Sequence, residues 1–135
     1  MKKTLLTIAA TVAIATTAQA DVTNPVNEAK TKDYMKSSYP LVEMAMACKL
    51  DQRFDFLQQV MDISYSKAGA TGDSIQKSIV DMWWGAMVFE PELRGDKAME
   101  FAGIVKANFN HPEIVKGCND FSGQVDTLID AWNGN

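Results

Sequence analysis

The chain carries one histidine, two cysteines and four prolines in 135 residues, and basic residues are fewer than acidic ones, 13 against 17. Each shortage removes a class of chemistry. With Cys48 and Cys118 far apart there is no Cys-x-x-Cys pair for disulfide exchange and no zinc-ligand spacing. The lone His111 stands directly before Pro112, and no Ser, Cys or acid arrangement accompanies it apart from Glu113, so it reads as a helix-cap residue and not as a base, ligand or switch. No phosphate-cradling glycine loop or dinucleotide fingerprint occurs. The sequence therefore offers no catalytic residue, metal ligand set or cofactor site.

Positive charge is thin and interleaved with acids, which argues against a nucleic-acid partner. The only long apolar run is at the start. Lys2 and Lys3 precede Leu5–Ala15, and Ala18-Gln19-Ala20 forms a small-residue cleavage site, so residues 1–20 read as a secretory signal cut after Ala20 and the expected location is the bacterial periplasm. No later stretch reaches the ~20 apolar residues of a membrane span. Losing Lys2 and Lys3 leaves 11 basic residues (13 minus 2) against 17 acidic ones, a net charge of about −6 for the remaining chain. That balance keeps a basic protein partner open.

What is present is helical period almost throughout, with no sustained alternation and no hairpin turn signal. The expected fold is all-α, a small bundle of four to five helices in one domain over residues 39–135, preceded by a partly ordered lead-in at 21–38 where Asn24-Pro25 offers at most a short helix start. Pro40 suits a first helical position, after which Leu41, Met44, Ala45 and Cys48 share a face. Asp51 is the expected cap of a second, mostly buried helix bearing Phe54, Phe56, Leu57, Val60, Met61 and Ile63. Gly69-Ala70-Thr71-Gly72 ends it. A third helix, capped by Asp73 or Thr71, places Ile75, Ile79, Met82, Trp83 and Ala86 on one stripe, with Trp84 at its edge beside Val80 and Met87. Ala98, Phe101, Ala102, Val105 and Phe109 face inward on a fourth. Asn110-His111-Pro112-Glu113 opens the last, whose Ile114, Cys118, Phe121, Val125, Leu128 and Trp132 follow a 4-3-4-3-4 spacing.

The stretch Met44-Ala45-Met46-Ala47-Cys48 gathers soft copper ligands within five positions. At 100° per residue, however, Met46 lies roughly 200° around the helix from Met44 and from Cys48, so one helix cannot aim all three at one ion. Cys48 and Cys118 instead occupy apolar stripes of the first and last helices of a secreted chain, which predicts a disulfide between them. The other methionines, Met61, Met82 and Met87 among them, read as gap-filling core. Glu90 and Glu92 beside two tryptophans have the make-up of a sugar-cleaving carboxylate pair, but a two-residue separation around Pro91 reads as a solvated loop.

One surface feature survives. Trp84, Met87, Phe89, Glu90 and Glu92 form an aromatic and acidic edge of protein-binding composition. The expected function is therefore non-enzymatic binding of a protein partner, as in an immunity-type inhibitor of a toxin. The alternatives are an accessory factor or chaperone of a secretion or conjugation apparatus, a copper binder, or an acid-stress chaperone. The apolar second and third helices also allow a homodimer.

Overall fold

A computed structural model describes residues 24 to 90, 92 and 94 to 134. The signal peptide expected over 1–20 lies outside the described residues. Those described form five helices and no strand: α1 Pro25–Ala47, α2 Arg53–Ala68, α3 Ser74–Phe89, α4 Asp96–Ala107 and α5 Pro112–Trp132. The chain is thus the all-α bundle that its periodicity predicts, and no described helix is long and apolar enough to cross a membrane.

The first departure is in α1. Residues 25–38, expected as a partly ordered lead-in, are its first half, and Pro40 lies inside the helix instead of at its start. Local chemistry explains why so polar a stretch is helical. The Asn24 side chain accepts from the Val26 N–H at 2.9 Å, Pro25 fills the first turn, and Glu28 pairs with Lys32 at 2.7 Å one turn on. Thr31 and Ser38, both buried, return their hydroxyls to the carbonyls of Asn27 and Tyr34 at 2.7 Å, so neither buried hydroxyl lacks a partner. Pro40 supplies no N–H to the helix. Gly95 packs against it so closely that a Cβ there would lie 2.7 Å from Pro40 Cγ, which is why the start of α4 meets α1 at a glycine.

After α1 the chain turns through Lys49, a non-glycine residue with φ of 56°, into α2. The residue capping α2 is Gln52 and not Asp51. Its backbone carbonyl starts the helix, while its side-chain Nε2 reaches across to α5 and donates to Ser122 O at 3.1 Å, Ser122 Oγ at 2.8 Å and Asp126 Oδ1 at 3.0 Å. Gly69, in the left-handed region, closes α2.

The main core joins the end of α1 to α2, α4 and α5. Ala45, Leu50, Phe56, Val60, Ala102, Val105, Phe121 and Val125 are buried in it, and Trp132 stacks on Phe56 with ring centroids 5.5 Å apart. At its centre Cys48, the C-cap of α1, is bonded to Cys118 of α5, with Cα atoms 5.5 Å apart, closing a 70-residue separation. The predicted staple between first and last helices is present, and no free thiol remains.

The second departure concerns which faces are inside. Helix α2 buries Phe56, Val60, Ser64 and Ala68, while Phe54 points outward; its core face is narrower than its wide apolar arc suggested. In α3 the burial is reversed. Val80 and Met87 are buried, whereas Ile75 and Met82, expected inside, are 73% and 72% exposed. Met82 is therefore not core packing.

Candidate functional site

Helix α3 is the most apolar of the five, yet only Val80 and Met87 of it are buried. The local sequence fixes both its ends. Asp73 accepts from the N–H groups of Ile75 and Gln76 at 2.9 and 3.1 Å, neutralising two of the free donors of the first turn. At the other end the Arg94 guanidinium donates to Met87 O at 2.7 Å and to Val88 O, placing a cation against the negative end of the helix dipole.

Its inner face is held by an aromatic stack. Arg94 lies 5.6 Å from the Tyr39 ring centroid, Tyr39 stacks on Trp84 at 6.2 Å, and Trp84 Nε1 donates to Ser64 Oγ at 3.2 Å. Ser64 in turn donates to Val60 O at 2.8 Å, so the indole N–H ends on a fully satisfied buried hydroxyl of α2. A second, small core of Ala68, Ala70 and Val80 lies beneath this stack, with Tyr65, Ile79 and Trp83 packed against it. Tyr65 donates its hydroxyl to Asp81 Oδ1 at 2.6 Å. Burial first, then that carboxylate, pushes the phenol up to about 12.

The five residues expected to form one protein-binding edge are thereby divided. Phe89 is 84% exposed, and Glu90 and Glu92 are exposed with it. Met87 is 5% exposed and Trp84 is half-buried in the stack; these two leave the exposed edge because their side of α3 faces α1 and α2. Pro91 and Leu93 of the same loop lie outside the described residues. With Trp84 turned in and Trp83 half-buried under the Lys32 ammonium at 5.4 Å, the tryptophans form no open sugar-stacking platform.

What the sequence reading missed is the row that replaces them. Ile75, Met82 and Phe89 recur every seven residues and stand within about 40° of one another on the outer face of α3, with half-buried Ile79 and Ala86 along one margin and Val88 exposed on the opposite flank. Part of the signal was legible, since Ile75 and Met82 belong to the stripe named from the sequence; its direction, and its continuation to Phe89, were not. Between the ridges Ser78 is exposed and Gly85 has nothing within 4 Å of where a Cβ would stand, so the surface there is low. On the other flank a cleft of about 430 Å³ separates α3 from α1, lined by Lys32, Met35 and Lys36 opposite Trp83, Met87 and Glu90.

The remaining candidates resolve into structural roles. Met44 packs on the main core, Met46 is half-buried, and Cys48 is in the disulfide. His111 is the N-cap of α5, its Nδ1 accepting from the Glu113 N–H at 3.3 Å. Among the described residues no group of three or more His, Cys, Asp or Glu side chains is placed to hold a metal ion. No protein-family model, curated protein or solved structure matches the chain. What fold and surface define is a disulfide-stapled helical bundle carrying one loosely attached apolar helix.

Proposed function

We propose that the protein is a secreted, periplasmic, non-enzymatic binding module whose contact face is the outer row of α3 continued by Phe89, Glu90 and Glu92. One observation carries the reading: three large apolar side chains in helical register, each more than 70% exposed, on the most apolar of the described helices. Scattered single apolar residues on a surface are ordinary, but a contiguous row on one helix is the mark of a protein contact. A small acidic domain that presents such a row on a rigid, disulfide-closed base suits an immunity-type inhibitor, which must occlude a toxin without changing its own shape. An accessory role in a secretion or conjugation apparatus would use the same face.

The test is site-specific photo-crosslinking in the periplasm, with the photoreactive residue at Met82 and, as control, at exposed Gln124 on α5. The expected result is a discrete stoichiometric adduct from position 82 and none from 124. Equal labelling at both positions, or no adduct from 82, overturns the assignment of α3 as the contact face.

A further inference from the structure

Resting on that reading, we infer the chemistry of the occupant: an amphipathic helical segment of another protein, apolar along one stripe and carrying Lys or Arg at both ends. Three features of the row specify it. Its length comes first. From Ile75 to Phe89 the row spans 14 residues, about 21 Å of helix, which matches a partner helix of some four turns with anchors at i, i+3/i+4 and i+7. Its relief comes second, because exposed Ser78 and open Gly85 let another backbone approach between the ridges of Ile75, Met82 and Phe89.

Charge decides between occupants. Exposed Asp73 stands at one end of the row, exposed Glu90 and Glu92 follow the other, and Asp81 lies on its flank. The only base within α3, Lys77, lies over the Tyr65 ring at 5.4 Å, and Lys32 and Lys36 line the cleft on the opposite flank. Arg94, at the Phe89 end, is engaged by Met87 O, Val88 O and the Tyr39 ring, so that it offsets only part of the Glu90 and Glu92 charge. A second copy of the chain meets this frame badly. Met82 is midway between Ile75 and Phe89, so antiparallel self-pairing centred on it sets Asp73 of one copy beside Glu90 of the other. Parallel pairing sets Glu90 beside Glu90. Both registers oppose acid to acid along an apolar seam, a repulsion that selects against the homodimer, whereas a segment with basic ends meets an acid at each end.

Two synthetic helical peptides of about 16 residues, sharing one leucine stripe and differing only in Lys or Glu at their ends, test this on the full disulfide-bonded protein by fluorescence anisotropy. The expected result is at least about tenfold tighter binding of the Lys-ended peptide at low salt, a difference that shrinks near 0.5 M NaCl. The Glu90→Lys/Glu92→Lys double variant, which leaves Asp73 as the acid at the other end, should remove most of the preference with an unchanged thermal melt, and Met82→Glu should abolish binding of both peptides. Equal binding of the two peptides, still lost in Met82→Glu, overturns the basic-ended partner and leaves the α3 face standing. Binding of neither peptide, or binding indifferent to Met82→Glu, overturns both. A parent protein that sediments as a dimer, dissociated by Met82→Glu, makes the occupant a second copy and overturns the inference.

Discussion

Two regions of this molecule are built from similar materials and held to very different degrees. In the base, formed by the end of α1 with α2, α4 and α5, the apolar side chains close on one another around the Cys48–Cys118 bond, and Phe56, Val60, Val105 and Val125 have no exposed surface. In α3 the side chains are at least as apolar, yet only Val80 and Met87 are buried, and the attachment is a stack of Arg94, Tyr39 and Trp84 over a three-residue core. The difference teaches that apolar content sets how much surface a helix can hide, while its neighbours set how much it does hide. A helix that retains an open apolar face after folding has that face left for something else.

The largest test of this contrast removes the staple. Reduction, or the Cys48→Ala/Cys118→Ala pair, should cost about 4 kcal/mol, the loop-entropy value for a closed loop of this length, and lower the denaturation midpoint accordingly. For a domain whose whole stability is of order 5–15 kcal/mol, that is a large share. Equilibrium urea denaturation with and without reductant measures it. An unchanged midpoint would mean that the base does not depend on its covalent closure, and the contrast with α3 would lose its physical ground.

A smaller effect should appear at the joint between the regions. Trp84→Ala removes the Tyr39 stack and the bond to Ser64, and for a half-buried tryptophan about 2–3 kcal/mol is expected, below the 3–5 kcal/mol of a fully buried one. The cost should fall unevenly. Hydrogen exchange of α3 amides should quicken in the variant while those of α5 keep their protection, because local opening follows local packing. Uniform acceleration in both helices would show one cooperative unit and erase the distinction. From the sequence, Trp84 reads as part of a protein-binding edge; its place in the stack makes it part of the attachment.

How far the sequence carried follows the same division. The base was legible. The 4-3-4-3-4 row of α5 has its Cys118, Phe121 and Val125 buried as expected, and the cysteines of a chain with two of them are paired. What was not legible lay where a pattern has two solutions. Residues 25–38 lack an apolar stripe, and their helix is held by the Asn24 cap, the Glu28–Lys32 pair and hydroxyl back-bonds, each too local to register as periodicity. In α3 the apolar residues surround the helix, with Val80, Trp84 and Met87 on one side and Ile75, Met82 and Phe89 on the other. Periodicity names both rows and cannot say which one the rest of the chain covers.

The smallest effect tests the remaining irregularity, on the α1 side of the joint. The Tyr34 hydroxyl is shut off from water and makes no hydrogen bond of sound geometry among the described residues, and burial, only partly offset by the Ser38 hydroxyl, pushes its ionisation up to about 12. A buried donor without an acceptor costs free energy, so Tyr34→Phe should leave stability unchanged or raise it by up to about 1 kcal/mol at neutral pH. The sign at high pH follows from linkage. Above pH 10 the unfolded phenol has lost its proton while the folded one, with its pKa near 12, retains it, so the unfolded state binds fewer protons and stability falls as pH rises from 10 to 12. Tyr65, raised in the same direction by burial and by Asp81, adds to that fall. Urea midpoints at pH 8 and pH 11 should therefore drop for the parent protein and drop less for Tyr34→Phe. A destabilised variant at pH 8 would mean that the hydroxyl has a partner in solution, and equal alkaline losses in both proteins would remove Tyr34 from the groups that link the joint to pH.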